Sequence, residues 1–115
     1  MPNDSAALDL AFQALADPAR RQMVARLSRG PASVSELAEP LPMSLPAVLQ
    51  HLQMLEASGL VQSQKTGRVR TFRIEPGALS AAEAWIGEQR AMWESRLDRL
   101  EEFLADMQGK EKRNG

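Results

Sequence analysis

Apolar residues recur at helical spacing near the beginning of the chain and again over its last third. Residues 5–16 place apolar side chains at the i, i+3, i+4 and i+7 positions of one face, which predicts a first helix. These side chains are Leu8, Ala11, Phe12 and Leu15. Residues 78–107 continue a similar pattern without interruption and predict one long amphipathic helix.

Capping residues and prolines divide the region between these two helices into three shorter ones. Asp17 and the proline after it predict a helix start, because Asp accepts from free N–H groups and Pro suits a position without a donor. Ser33 and Glu36 have the spacing of a capping box at the start of the third helix. Ser44 is the predicted cap of the fourth helix, which ends before Gly59.

Two candidate strands follow, Leu60–Lys65 and Val69–Ile74, and predict a β-hairpin over residues 60–75. They flank Gly67, which tolerates the positive φ angle of a tight turn. Phe72 and Ile74 share one strand face, so they are expected to anchor the hairpin to the core. With residues 33–59 as a helix-turn-helix, the element order predicts one winged helix-turn-helix domain, mostly α-helical with a small β-hairpin.

The charged residues are unevenly distributed, although the formal net charge is only −1. Residues 18–30 carry four basic and no acidic side chains, and residues 60–75 carry four basic and one acidic. Residues 83–107 carry three basic and seven acidic side chains. A small domain that binds nothing explains the helices equally well. It does not explain two basic stretches around the helix-turn-helix and hairpin, which favour double-stranded DNA as a partner.

The composition excludes several classes of functional site. With no cysteine and one histidine, the chain cannot form a thiolate metal site, an iron–sulfur cluster or a His-rich metal cage. No catalytic triad, paired-carboxylate cleft or phosphate-binding glycine loop is visible, so an enzyme is the least expected class. The absence of a long apolar run and of a signal-peptide pattern favours a cytoplasmic location away from membranes.

The fourth helix presents a candidate DNA-reading face. Val48, Leu52 and Leu55 share a narrow arc that must face the core, so the opposite, uncharged arc is exposed. In a major groove, Gln can bridge adenine N6 and N7 and an aliphatic side chain can touch a thymine methyl. The predicted base-contacting residues are Leu45, Pro46, Leu49, Gln50 and Gln53. The predicted phosphate contacts are Ser44, Lys65, Arg68 and Arg70.

Several of these basic and polar residues have a second interpretation. Ser44 is equally suited to act as a helix cap alone, and charges on a hairpin also protect an edge strand from aggregation. Arg20 and Arg21 fit either phosphate contacts or a solvated helix face. His51 lies near the buried arc, which favours a packed, hydrogen-bonded histidine over a ligand for phosphate or metal.

The last helix carries a seam of apolar residues at steps of four and three, as in coiled coils. One small chain cannot bury this seam together with the first helix, and one copy makes too few phosphate contacts for tight binding. We therefore expect a homodimer through the first and last helices, with residues 108–115 as a disordered tail. The predicted interface residues are Leu8, Phe12, Trp93, Leu97, Leu100 and Leu104. The alternative is a last helix that packs wholly onto its own domain.

Five segments carry motifs that are specific in combination, although each is weak alone. They are Leu15–Arg21, Ser35–Ala38, Met43–Leu52, Leu55–Val61 and Gly67–Arg70. In this combination the sequence closely resembles the ArsR (SmtB-like) family of bacterial transcriptional regulators. The resemblance implies a homodimeric winged-helix repressor that binds a palindromic operator until an inducer releases it.

The chain departs from the family pattern at several positions. Ser33 and Ser35 stand where metal-sensing members carry cysteines, and no histidine follows His51, so neither metal sensing nor a cofactor is expected. Leu45 and Leu49 stand where polar base-reading residues are common. Pro42 replaces the glycine that is frequent in the turn of the motif.

The sequence therefore predicts a non-enzymatic repressor that reads an inverted repeat as a homodimer. The alternative is a winged-helix protein-interaction module whose acidic last helix docks a partner. Trp85, Met92 and Trp93 are compatible with a small apolar effector, but aromatic residues at helical spacing are more typical of an interface. No effector is identified by the sequence.

Overall fold

The computed structural model describes residues 4–114, which contain five helices and three strands. The elements are α1 (Asp4–Leu15), α2 (Pro18–Leu27), β1 (Ala32–Ser33), α3 (Val34–Ala38), α4 (Leu45–Ala57), β2 (Val61–Thr66), β3 (Val69–Ile74) and α5 (Ser80–Asn114). The chain groups into two compact units, one ending at Ala82 and one beginning at Glu83, and each is described by itself. The predicted mostly helical fold with a β-hairpin is confirmed.

Three of the helices begin at the caps that the sequence predicts. The Asp17 carboxylate accepts from the backbone N–H three residues later at 3.0 Å, and the Ser44 hydroxyl accepts in the same way at 3.3 Å. Ser33 and Glu36 form the reciprocal capping box, with bonds of 3.1 and 3.2 Å between side chain and backbone. These bonds satisfy N–H groups that a helix start otherwise leaves open.

The core of the first unit lies between the helices and the inner face of the hairpin. Its largest fully buried side chains come from α2, α3, α4, β3 and the residue directly before β2: Met23, Leu37, Val48, Leu52, Leu55, Phe72 and Leu60. Ile74 packs against this cluster, as predicted. On α1 the buried residues are Ala11 and Ala14, with Leu15 partly buried, whereas Phe12 is exposed. The apolar face predicted for α1 is therefore divided, with Ala11 and Leu15 against the core and Phe12 exposed.

The sheet contains a third strand that the sequence pattern does not predict. Strand β1 pairs antiparallel with β3, with Ala32 opposite Phe72, so β3 is the central strand in the order β1-β3-β2. A strand of two residues shows no alternation of its own, and it forms only because β3 lies beside it. The hairpin turn itself is as predicted, with Gly67 at a φ of 64°.

Two turns fix the direction of α4. Pro42, whose φ angle is restricted by its ring, is the central residue of a three-residue turn closed by a 2.9 Å bond from Met43 N–H to the Leu41 carbonyl. A glycine is therefore not needed there. At the other end, Gly59 takes a φ of 83° while Leu60 N–H donates to the Leu55 carbonyl at 3.2 Å, as in a Schellman motif.

Helix α5 begins at Ser80 and continues through Asn114, so it is longer than the predicted 78–107. Residues 108–114 are helical, which corrects the predicted disordered tail, and Gly115 lies outside the described residues. Lys, Glu, Gln and Arg are strong helix formers, so these residues extend a helix that has already begun. None of the described helices combines the length and apolar character that a membrane span requires.

Candidate nucleic-acid interface

Helix α4 has one buried and one exposed face. Val48, Leu52 and Leu55 are fully buried, as predicted from their spacing. On the opposite side Leu45 is 52% exposed and Leu49 is 39% exposed. The other predicted base-contacting residues are also exposed, and they are Pro46, Gln50 and Gln53. From Leu45 to Gln53 the exposed side thus presents amide and aliphatic groups, which can pair with base edges or touch thymine methyl groups. The predicted absence of charge does not hold for the whole helix, because Glu56 is exposed on the same side in the last turn.

The start of α4 offers few free amides to an anion. Pro46 has no N–H, and the N–H groups of Ala47 and Val48 bond to the side chain and the carbonyl of Ser44. The N–H of Leu45 is left as the first-turn amide without a bond inside the helix. A hydroxyl both accepts and donates, so Ser44 can donate its proton to a phosphate while it caps α4. The two interpretations of Ser44 are therefore compatible.

The hairpin, residues 61–74, is called the wing here, and it contains basic but no acidic residues. Lys65 and Arg70 are directly opposite each other in the β2–β3 register, so both side chains lie on the same face. Arg68 lies in the turn between the two strands, and all three cations are exposed. Like charges directly opposite each other destabilise a strand pair, so this arrangement favours an anion that covers them. The Arg70 guanidinium also donates to the Ser63 hydroxyl at 2.8 Å.

Two other basic residues take a role that their local pattern does not indicate. Arg20 donates to the carbonyls of Ala14 and Gln13 at 2.7 and 3.2 Å, and Arg21 donates to the Leu15 carbonyl at 2.7 Å. Both arginines therefore cap the C-terminus of α1. The sequence signal for this capping role is the new helix start at Asp17, directly after α1. Because α1 ends there, its last carbonyls need donors.

His51 is a packed, hydrogen-bonded histidine, as the sequence predicts. Its Nδ1 lies 3.1 Å from an Arg20 guanidinium nitrogen and 3.9 Å from the Asp17 carboxylate. The side chain is about three-quarters buried. His51 therefore belongs to the contact between α2 and α4 rather than to the exposed face of α4.

The serines at the cysteine positions of the family are used in a different way. The Ser33 hydroxyl accepts a hydrogen bond from the Glu36 N–H, and the Glu36 carboxylate accepts one from the Ser33 N–H. Within residues 4–114, no group of three or more His, Asp or Glu side chains is gathered so that it could hold a metal ion. The structure thus uses the start of α3 as a capping box.

The second unit exposes a continuous apolar seam along α5. Trp93 is 63% exposed and Leu97 is 55% exposed, and the remaining members of the seam are similar. These other members are Leu100, Phe103, Leu104 and Met107. In the first unit, Phe12 is exposed and Leu8 is partly exposed on α1. Contiguous exposed apolar side chains of this kind are typical of a protein interface.

A helix-turn-helix followed by a basic β-hairpin defines the winged helix-turn-helix class of proteins. The family model described as "Helix-turn-helix domain" matches residues 15–64. The chain is 48% identical over 73 residues to the HTH-type transcriptional regulator Rv2034 of Mycobacterium tuberculosis. This alignment covers 64% of this chain and 68% of Rv2034.

Solved structures of transcriptional regulators are also similar to this chain. An ArsR family transcriptional regulator superposes with a TM-score of 0.75 at 52% identity, covering 83% of this chain and 98% of that one. The homodimeric winged helix-turn-helix DNA-binding domain of Mb0332 from Mycobacterium bovis gives a TM-score of 0.59 at 26% identity, covering 75% and 82%. The chain belongs to the ArsR family of helix-turn-helix transcriptional regulators, which confirms the expected family, and it is a DNA-binding regulator.

Proposed function

We propose that the chain is a homodimeric repressor that binds an inverted-repeat operator through α4 and the wing, without a metal ion. The observation that carries this proposal is the exposed amide and aliphatic face of α4 from Leu45 to Gln53, together with a wing that carries four exposed cations. The first surface suits base edges, and the second suits phosphates. The chain acts by occupying DNA rather than by catalysis.

Sequence preference comes from α4 in this proposal. Gln50 and Gln53 pair with adenine edges, while Leu45, Pro46 and Leu49 contact thymine methyl groups. Binding strength comes from phosphate contacts, which carry no sequence information of their own. The residues proposed to make them are Ser44, Lys65, Arg68 and Arg70.

The proposed dimer joins the exposed apolar residues of α1 and α5. Its interface residues are Leu8, Phe12, Trp93, Leu97, Leu100 and Leu104. The homodimeric domain of Mb0332 supports this part of the proposal. A two-fold axis then places the two α4 helices, which are the recognition helices of the dimer, about one turn of DNA apart, roughly 34–36 Å.

Independence from a metal ion rests on Ser33 and Ser35, because neutral hydroxyls cannot replace thiolates for a soft or borderline metal. Ser33 is also committed to capping α3. Release from DNA therefore depends on a signal of another kind. A small apolar effector is compatible with the exposed aromatic residues of α5, Trp85 and Trp93.

A binding titration with labelled DNA from upstream of the chain's own gene tests the proposal. The wild type is expected to bind this DNA more tightly than a scrambled duplex of the same length. Gln50→Ala should lose about 1–3 kcal/mol of preference at one base pair if Gln50 bridges an adenine. Gln22→Ala, an exposed glutamine of α2 outside the proposed face, is the matched control and should bind like the wild type.

The exposure of Leu45 and Leu49 also favours a second function, a protein-interaction module whose acidic last helix docks a partner. The same titration separates the two functions. Absence of binding to any duplex at low salt contradicts the repressor and supports the interaction module.

A further inference from the structure

One side chain connects three helices of the first unit. The Arg20 guanidinium donates to the carbonyls of Ala14 and Gln13 at the end of α1, and another of its nitrogens lies 3.1 Å from Nδ1 of His51 on α4. Arg20 itself belongs to the first turn of α2. The recognition helix is thus joined to α1 through one planar group that α1 already holds at two points.

The direction of the Arg20–His51 bond follows from the chemistry of arginine. A guanidinium has five N–H donors and no acceptor, so Nδ1 of His51 accepts and the proton of the ring is on Nε2. The charged groups that face this imidazole are Arg20 and the Asp17 carboxylate, 3.9 Å from Nδ1. Asp17 is held as the cap of α2 by the backbone N–H of Arg20. Both partners of His51 therefore have fixed positions.

We propose that Arg20 and His51 form a positioning link, which sets the orientation of α4 relative to α1 without touching DNA. This inference rests on the proposed function, because it matters only if α1 joins two copies and α4 reads bases. DNA recognition by a dimer requires the reading side chains to keep a defined distance from the two-fold axis. A site displaced by about 1 Å loses much of its effect, so a bond that fixes α4 on α1 contributes to affinity.

Arg20 and Arg21 provide a matched pair of substitutions. Both cap the end of α1, but the structure joins only Arg20 to α4. Arg20→Gln is expected to weaken operator binding about tenfold, the effect of losing one hydrogen bond to a charged group. Arg21→Gln should stay close to the wild type. The dependence of log affinity on log salt should be the same in all three proteins, because no phosphate contact is removed.

His51 provides the rescue experiment. Asn places its Oδ1 acceptor near the position of Nδ1, whereas Leu has similar size but no acceptor. His51→Leu should therefore weaken operator binding about as much as Arg20→Gln, and His51→Asn should restore most of the loss. Urea unfolding of each variant measures its stability, and affinities are compared where each protein is folded. The comparison of His51→Leu with His51→Asn also tests the link if Arg20→Gln does not fold.

The failures of the two proposals have different signatures. A wild type that binds no DNA contradicts the proposed function. A wild type that binds its operator, together with Arg20→Gln and His51→Leu variants that bind equally well, overturns only the positioning link. A salt slope that falls by about 0.9 in Arg20→Gln also overturns the link, because it makes Arg20 a phosphate contact. Equal losses in His51→Leu and His51→Asn do the same, because the acceptor is then irrelevant.

Discussion

At the scale of single residues, two carboxylates at helix starts are held in their charged form. The backbone N–H of Arg20, together with the charge of its guanidinium, lowers the pKa of Asp17. The backbone N–H and hydroxyl of Ser33, with Arg26, lower the pKa of Glu36. Both groups lose these partners on unfolding, so their pKa values are higher in the unfolded chain.

These shifts predict a loss of stability in acid. A carboxyl whose pKa is lower in the folded state contributes stability above its unfolded pKa, and this contribution is lost as pH falls through the folded pKa. The urea midpoint of the wild type should therefore fall below about pH 4.5. The Asp17→Asn/Glu36→Gln double variant should show a weaker dependence, because its two amides do not titrate. It should still fold, because the amide oxygens can cap the helices.

Glu56→Gln, on the exposed side of α4, is the control for this experiment and should follow the wild type. Identical slopes of midpoint against pH in the wild type and the double variant would contradict the assigned role of the two caps.

The residues that could be predicted from the sequence are those whose partners are close in the chain. The caps at Asp17, Ser33 and Ser44 each bond three residues away, so a local motif reveals them. The bond between Arg20 and His51 spans 31 positions, and no local pattern indicates it. The sequence alone therefore leaves Arg20 open to interpretation as a phosphate contact or a solvated residue.

At the scale of elements, periodicity predicted the faces of α4 correctly, because Val48, Leu52 and Leu55 share one arc. Periodicity did not predict β1, whose two residues depend on pairing with Phe72 and Thr71 of β3, some forty positions later. On α1, Ala11 and Leu15 of the predicted face contact the core, whereas Phe12 of the same face is exposed. Ala14 is buried too, although the periodic pattern does not include it.

Two glycines, one just after α4 and one inside α5, predict opposite effects of substitution by alanine. Gly59→Ala should lower the free energy of unfolding by about 1–2 kcal/mol, because its φ of 83° disfavours a side chain. Gly87→Ala should raise it by about 0.5–1 kcal/mol, because Gly87 is inside a helix and a Cβ there meets no atom within 4 Å. Urea denaturation of both variants checks this, and destabilisation by Gly87→Ala would contradict the description of α5.

The wing predicts a change in salt dependence. Replacing both Arg68 and Arg70 with alanine should weaken binding to all DNA sequences and lower the magnitude of the salt slope by about 1.8, at 0.9 for each lost phosphate contact. Binding isotherms at several salt concentrations measure this slope. An unchanged slope would remove the wing from the DNA interface.

Arg29→Ala is the matched control for the wing. Arg29 is exposed in the turn between α2 and β1, outside the hairpin that forms the wing. This variant should retain the wild-type slope.

At the scale of the whole molecule, the proposed dimer predicts that the seam of α5 determines the assembly state. Leu97→Glu should shift the protein from dimer to monomer in sedimentation and weaken operator binding, because it buries a charge in an apolar interface. Ser95→Glu adds the same charge on the opposite side of α5 and should remain dimeric. Dimeric Leu97→Glu, or monomeric wild type at working concentrations, would contradict the proposed interface.

Hydroxyl-radical footprinting on DNA from upstream of the chain's own gene tests the central claim most directly. The wild type should protect two half-sites of an inverted repeat, about one helical turn apart, and the Gln50→Ala/Gln53→Ala variant should lose this pattern while keeping weak, unspecific protection. Protection without two-fold symmetry, or a footprint that the double variant leaves unchanged, would contradict recognition by paired α4 helices.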